Sequence, residues 1–544
     1  MQKIFQQKKS FLPLFLFIFF FSAFLVTSGG HGDPFDGPSY FIITEGIAER
    51  GTPTMDVNSP AADKMGFDIE QYIEIRTSLQ AYQYWYTESH ALSPEMTISE
   101  LITNYPFGTY LKDYRTTVDQ EYFYGPGYLL LPILATPIYV VADFFNVSVI
   151  DSVFLLFNTL VLTFTCIILY FISRNLFSSE RIAVSTAIIF GLTSFIWPYI
   201  TSLYSNPLAL MFMVFSIYLI LLQKNKISIV LPLLTSASIG AMILAHPQFI
   251  MFAPFIFIYS LFELRKKKRN LIFFIIGILL MSSLQAYINY DRYGDPLNFL
   301  GWQNAPEHDT SEPRSIEGLY GFLFSSGKSL FLYFPLAILI PFGFYYLFQK
   351  NKSLTILLGT IFLLNYFFTA IHPAWYGISY WGPHRHFLPL VPIIAICMGS
   401  LIARFSSSIR WKIGIVSLGI SGFIVNLLGN LVWIQYAYAY GWGPEGLWKI
   451  EDKDFVFTWN PYHSPVFQTI KVLQSDWVST LPINPERLDY FRIGLNGCTY
   501  DLFLYCEFGL LPILVLCSII AISGYIILKI LLNLKQKITF PDSQ

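Results

Sequence analysis

The sequence predicts an all-α, polytopic membrane protein, with about 12 transmembrane helices and juxtamembrane helices in the first outer loop. Hydrophobic residues make up 54 % of the 544 residues and charged residues only 13 %, whereas soluble domains carry about 25 % charged residues. Aromatic residues reach 18 %, which is typical of proteins whose rings fill lipid and its interface. Most of the chain therefore cannot face water.

Apolar runs long enough to cross a bilayer recur along the whole chain. A spanning helix needs roughly 20 mostly apolar residues. Twelve runs qualify, at about 11–27, 151–173, 182–200, 203–222, 228–245, 248–263, 271–290, 328–349, 354–371, 386–403, 413–434 and 509–531. A thirteenth run, 126–143, is apolar but rich in proline and glycine.

Positive charge decides the orientation, because lysine and arginine concentrate in cytoplasmic loops. With twelve spans, all the basic loops fall on one side, together with Lys3, Lys8 and Lys9 before the first span. If 126–143 also crossed, the later basic loops would move outside, so we predict that it lies at the outer surface. We expect a protein of the cell membrane with both termini in the cytoplasm, and we interpret the first run as a retained anchor.

This topology leaves four outer segments that are long enough to carry a function. They are about 28–150, 291–327, 372–385 and 435–508. The inner loops are too short for a catalytic domain, and no glycine-rich nucleotide loop is present. Any chemistry is therefore expected outside, with a donor that has already been carried across the membrane. We divide the chain into a transmembrane catalytic module with the outer loop 28–150, an outer loop of unknown role, and a last helix with a cytoplasmic tail, at 1–434, 435–508 and 509–544.

Two carboxylates follow the first span, Asp33 and Asp36, in a segment rich in proline and glycine. A carboxylate held at the membrane surface can act as a general base. A short amphipathic helix, ended by Gly51, follows them. From spacing alone a solvated turn is the preferred interpretation of this segment.

Six stretches together resemble one family. Asp36, Pro38, Tyr40, Ala48 and Gly51 resemble the first outer loop of the GT-C glycosyltransferases, which include protein O-mannosyltransferases and the aminoarabinose transferase of lipid A. Further stretches resemble the prokaryotic branch in the expected order: YGPGY at 124–128 with Pro132, SNPLA at 205–209, NYDRYGDP at 289–296, GFLFSSGKSLFLYFP at 321–335, and WGPHR at 381–385 with Pro389 and Pro392. The resemblance covers about residues 10–405.

The resemblance implies sugar transfer from a polyprenyl- or dolichyl-phosphate donor, with inversion at the anomeric carbon. Asp36 would be the base that activates the acceptor, with Asp33 as the fallback. A leaving phosphate needs cationic stabilisation, and a planar guanidinium matches its geometry best. Arg385 is our first choice for that role, Lys328 the second and Arg292 the third, although an interface arginine can also simply snorkel.

Four further residues are expected to contact substrate. Tyr40 should fix the direction of the base, and Tyr124 belongs to the YGPGY element. Glu121 would supply a second carboxylate, and His384 flanks Arg385. We expect His384 and His386 to point to different sides of a helix, and we predict no metal site. No cofactor is predicted with certainty, and a divalent cation stays open.

Other function classes remain open at this point. Twelve spans with both ends inside also suit a lipid or glycolipid transporter, but carriers place ionisable residues at mid-membrane, and the spans here are nearly free of charge. A structural or assembly partner would account for the loop 435–508. The expected partners are a polyprenyl-phosphate-linked sugar, a glycan, lipid or protein acceptor, and membrane lipid, and no nucleic acid. Cys498 and Cys506 can pair in the last outer loop.

Overall fold

The computed structural model describes most of the predicted membrane module. It covers residues 11–30, 36–56, 58–65, 122–124, 128–224, 226–293, 296–297, 314–371, 375–377, 381–434, 453–475 and 500–534. Within these ranges the chain is almost wholly helical, and the only sheet pairs two short strands.

Helices make up most of the described residues. In chain order they are α1 Leu12–Val26, α2 Asp36–Arg50, α3 Pro60–Met65, α4 Leu130–Phe144, α5 Val149–Phe177, α6 Glu180–Leu192, α7 Ser205–Gln223, α8 Val230–Ala245, α9 Ala253–Leu264, α10 Lys268–Tyr293, α11 Arg314–Phe324, α12 Leu330–Tyr333, α13 Ile340–Lys350, α14 Lys352–Ala370, α15 Leu390–Arg404, α16 Ile409–Leu431, α17 Lys453–Trp459, α18 Pro465–Leu473, α19 Phe503–Phe508 and α20 Leu510–Asn533. Short 3₁₀ turns occupy Trp197–Thr201, Pro247–Met251, Pro335–Leu339, Arg385–Phe387 and Pro461–His463.

The predicted fold class is confirmed. All twelve predicted runs coincide with helices, and six described helices are long and apolar enough to cross a membrane. These six are α5, α7, α10, α14, α16 and α20. The chain is therefore an integral membrane protein, and the number of crossings stays a prediction.

Four of the predicted runs, 182–200, 248–263, 328–349 and 386–403, include a 3₁₀ turn, and proline explains two of these interruptions directly. The run 182–200 contains α6 and then a 3₁₀ turn that holds Pro198. The run 328–349 divides into α12, a 3₁₀ turn that begins at Pro335, and α13, which has Pro341 in its first turn. Proline lacks the backbone N–H that a continuing α-helix needs.

The helices form an inner group and a peripheral group. Most residues of α5, α7 and α15 are buried among neighbouring helices. In contrast, α10, α16 and α20 expose large apolar side chains, such as Leu280 at 63 % and Leu511 at 71 %. Apolar surface on this scale is unusual for a protein in water, so these helices suit contact with lipid.

The segment 28–150, predicted to be the first outer loop, contains a small assembly that the sequence did not predict. Strands β1 (Thr54–Asp56) and β2 (Tyr122–Tyr124) pair antiparallel, with Thr54 opposite Tyr124. Helix α4 packs along α2 and α5. Its 15 residues measure about 22 Å, less than the roughly 30 Å of a hydrocarbon core, and its position at the outer surface stays a prediction.

The cysteines differ in their environment. Cys166 and Cys397 are buried thiols, whereas Cys517, in an apolar run where a buried thiol is expected, is an exposed free thiol on α20. Cys506 is disulfide-bonded, as the predicted pairing requires. Cys498, the predicted partner, lies outside the described residues.

Candidate functional site

Asp36 is the first residue of α2, so its carboxylate lies where the helix dipole favours negative charge. Its backbone carbonyl accepts a hydrogen bond from Ser39 Oγ at 2.8 Å, which closes the first turn. Pro38 occupies a position at which its missing N–H costs nothing. The motif that singled out Asp36 thus describes a helix start that fixes the carboxylate near the end of the bundle.

Arg385 is brought to Asp36 from 349 residues further along the chain, and its guanidinium Nη1 donates to Asp36 Oδ2. The two side chains are 19 % and 16 % exposed, so the pair is shielded but still open to one side. The guanidinium also lies over the Tyr204 ring, 4.9 Å from its centroid. The first-choice base and the first-choice phosphate ligand therefore contact each other.

The turn that carries Arg385 is held from both sides. Gly382 has φ +78°, and a Cβ there would lie 3.0 Å from Phe195 Cβ, so only glycine fits. The side-chain amides of Gln248 and Asn365 both donate to the His386 carbonyl, at 2.9 and 2.8 Å. These contacts fix the backbone beside Arg385 and leave its guanidinium to face Asp36.

Tyr40 lies one turn after Asp36 and connects α2 to the start of α7. Its hydroxyl donates to Ser205 Oγ at 3.2 Å. Burial, and then the Asp36 charge, raise the pKa of Tyr40 well above its usual value, so the phenol stays neutral. Asn158 of α5 donates to the Tyr204 carbonyl at 3.3 Å. The SNPLA element is thus part of the site.

His246 caps a turn, since its Nδ1 accepts from Gln248 N at 3.3 Å. The ring also belongs to the site, because it lies 4.9 Å from the Tyr128 ring and 5.6 Å from the His386 ring. Burial, and then the Arg385 charge, lower the pKa of His246 to about 3. It is therefore neutral at physiological pH.

One geometric expectation is wrong. The rings of His384 and His386 lie 4.4 Å apart, not on different sides, because the segment is a 3₁₀ turn and not an α-helix. His384 Nδ1 accepts from His386 N at 3.2 Å. Among the described residues, no group of three or more His, Cys, Asp or Glu side chains is arranged to hold a metal ion.

Lys328 occupies the turn between α11 and α12 and is only 1 % exposed. Its backbone N–H donates to Ser325 Oγ at 3.2 Å, and burial lowers the pKa of its ammonium to about 7. The neighbouring Gly327 N–H donates to the Thr458 carbonyl at 3.0 Å. Part of the loop 435–508 thus packs directly against this turn.

The remaining predicted residues are not placed relative to the pair. Asp33 and Glu121 lie outside the described residues. Tyr124 stands in β2 opposite Thr54, and Arg292 stands in the last turn of α10, but neither side chain is described.

The comparisons with known proteins agree with the motifs. The family model "Mannosyltransferase (PIG-V)" matches residues 115–323, which is less than half of the chain. No curated protein sequence resembles the chain at a significant level.

Two solved structures are similar over part of their length. The archaeal oligosaccharyltransferase AglB from Archaeoglobus fulgidus, in complex with an inhibitory peptide and a dolichol-phosphate, is 11 % identical with a TM-score of 0.35, over 63 % of this chain and 53 % of that chain. The apo form of an Archaeoglobus fulgidus oligosaccharyltransferase is 12 % identical with a TM-score of 0.30, over 70 % and 53 %. The chain spans about half the length of these proteins, and similarity at this level carries no conclusion about function. The middle of the chain is therefore similar to a mannosyltransferase family.

Proposed function

We propose that this protein is a glycosyltransferase that moves a sugar from a polyprenyl- or dolichyl-phosphate donor to a hydroxyl acceptor. The observation that carries the proposal is the contact between Asp36, at the start of α2, and Arg385, in the 3₁₀ turn before α15. Such a transfer needs a carboxylate that acts as the base and a guanidinium that binds the donor phosphate, and the two must lie close together.

In the proposed reaction Asp36 accepts the proton of the acceptor hydroxyl as that oxygen attacks C1 of the sugar. The new C1–O bond forms while the bond from C1 to the phosphate oxygen breaks, and the polyprenyl phosphate leaves with the bonding electrons. Arg385 stabilises the charge that develops on the leaving oxygen. Attack opposite the departing phosphate inverts the anomeric carbon.

The ion pair gives this site a way to couple the base to the donor. Without donor, Arg385 donates to Asp36, which stabilises the carboxylate and weakens it as a base. A donor phosphate competes for the same planar donors, and the Tyr204 ring, 4.9 Å away, can hold the guanidinium plane during the exchange. Asp36 then becomes a stronger base only when a donor is bound.

The surroundings favour an anionic donor. Tyr40 is neutral because burial opposes its charged form, so it adds no negative charge to the site. Lys328 is proposed as a second cation for the donor phosphate. We propose that this end of the protein faces outward, because the basic loops lie at the other side of the membrane. The proposed location in the cell membrane rests on the same pattern.

Mannose is the sugar we propose to test first, because the matched family is described as a mannosyltransferase. The acceptor is proposed to contact the loop 435–508 and the segment 52–120, which carry no motif of the family. Part of the first of these segments packs beside Lys328 through Thr458.

The direct experiment uses the purified full-length protein in lipid vesicles with radiolabelled polyprenyl-phosphate mannose and a membrane extract of the cells that make it. We expect one polyprenyl phosphate to be released for each sugar transferred, and no transfer from a nucleotide sugar. Passage of the intact donor across the bilayer, without release of polyprenyl phosphate, would show that the protein is a transporter and not an enzyme. Twelve spans are compatible with that function class as well.

A further inference from the structure

A cavity of about 520 Å³ lies between α6, α15 and α16, away from the Asp36 site. Its volume falls within the roughly 300–1,000 Å³ of typical ligand sites. Helix α15 begins just after the turn of Arg385 and ends at Arg404, and Phe405 and Ser406 line the cavity. The 15 residues of α15 therefore place this end of the cavity about 22 Å along the bundle from the candidate active site.

The lining of the cavity is apolar along its length and cationic at one end. Leucine, isoleucine and phenylalanine side chains from the three helices form the walls, and Arg181 and Lys412 lie at the end with the hydroxyls of Ser179 and Ser406. Its described lining contains no acidic side chain. Arg181 donates to the Leu531 carbonyl at 2.9 Å, a neutral acceptor that leaves its positive charge in place.

The length of the cavity corresponds to one leaflet. Lys412 and Phe423 are lining residues on α16, and their separation along the helix is about 16 Å. Half of a hydrocarbon core measures about 15 Å. Val416 and Ile420, also in the lining, are 57 % and 54 % exposed, so the cavity opens sideways towards lipid. An acyl chain fits this shape, and a phosphate fits its cationic end.

We infer that this cavity binds an anionic phospholipid of the leaflet opposite the Asp36 site, with one acyl chain between α6 and α16 and its phosphate at Arg181 and Lys412. The lipid would fix the position of α16 relative to the end of α15 near Arg404. This site is separate from the proposed donor site, since its cations stand at the other end of the bundle.

Gly419 and Gly414 allow a matched test on α16. A Cβ at Gly419, in the lining, would meet only Leu336 Cδ1 at 4.0 Å, and a Cβ at Gly414 would meet nothing within 4 Å. Leucine at Gly419 therefore fills the cavity, whereas leucine at Gly414 adds the same bulk to the same helix outside it. In the same way, Lys412→Ala removes a lining cation, and Arg410→Ala removes a neighbouring cation that does not line the cavity.

The experiment measures phospholipid binding to the full-length protein by native mass spectrometry, with dioleoyl-phosphatidylglycerol and dioleoyl-phosphatidylcholine as probes. We expect the first phosphatidylglycerol to bind at least about fivefold more tightly than phosphatidylcholine. Lys412→Ala should remove most of that preference, and Gly419→Leu should remove the first binding event. Arg410→Ala and Gly414→Leu should bind as the wild type does.

Equal binding of the two lipids by the wild type would overturn the inference, and so would wild-type binding by both Lys412→Ala and Gly419→Leu. Displacement of phosphatidylglycerol by an equal concentration of polyprenyl phosphate would assign the cavity to a polyprenyl lipid instead. If Gly419→Leu does not fold, the comparison of Lys412→Ala with Arg410→Ala still decides the question.

Discussion

The substitution of Arg385 by lysine separates charge from geometry at the candidate site. Lysine keeps the positive charge but loses the planar fork that binds phosphate at two points. It also loses the stacking on Tyr204, whose ring centroid lies 4.9 Å from the guanidinium carbon. Asp36 keeps a cation nearby, so folding should survive the change.

The size of the effect follows from the exposure of the pair. With side chains 19 % and 16 % exposed, the contact lies between a surface pair, which contributes little, and a fully buried one. The loss of one charged hydrogen bond costs about 1.5–3 kcal/mol, and the stacking contributes about 1 kcal/mol. Because lysine retains part of this interaction, we expect a loss of about 1–3 kcal/mol, which corresponds to about 5- to 150-fold.

The assay is sugar transfer from labelled polyprenyl-phosphate mannose, with donor binding measured in parallel. Arg404→Lys is the matched control, since Arg404 also lies over an aromatic ring, Tyr346 at 5.8 Å, but at the other end of α15. Arg385→Lys should transfer at least about fivefold more slowly, and Arg404→Lys should not change. Wild-type transfer by Arg385→Lys would reduce Arg385 to an interface anchor and refute its role with the donor.

Topology, pH dependence and backbone geometry give three further tests. A reporter fused at Asn175 or at Lys267 should report the cytoplasm; an outside signal at Asn175 would mean that 126–143 crosses the membrane. Because burial lowers the pKa of Lys328 to about 7, its charge is present below that pH and lost above it, so donor affinity should fall as the pH rises through about 7. The variant Lys328→Met should bind donor equally across that range, and a dependence that persists in it would assign the titration to another group. Gly382→Ala, at φ +78°, should destabilise the fold by about 1–2 kcal/mol, measured as a lower thermal midpoint, and an unchanged midpoint would contradict the strained turn.

The sequence predicted the membrane fold because length and apolarity are local properties. Each of the twelve runs carries its own signal, and each coincides with a helix. The interruptions at Pro198 and Pro335 could have been read from the prolines themselves. The pairing of β1 with β2 could not, because it joins residues such as Thr54 and Tyr124 that are far apart in the sequence.

The site could be predicted only in part, because the residues that meet there are far apart in the sequence. Asp36 and Arg385 were selected separately, and nothing in the sequence indicates that they contact each other across 349 residues. The position of His246 beside Arg385 depends on how α8 packs. Tyr204 precedes a matched stretch and carries no motif of its own.

The most direct test of the account is the transfer rate of Asp36→Asn, because asparagine keeps the size of the side chain and removes the base. We predict that this variant inserts normally and transfers at least about 100-fold more slowly. Asp33→Asn should cost much less. Asp56→Asn, which removes a carboxylate that pairs with Arg50 at 3.5 Å in the same loop, should leave transfer unchanged. Wild-type transfer by Asp36→Asn would contradict the assignment of the base, and loss of transfer only in Asp33→Asn would move the base to that residue.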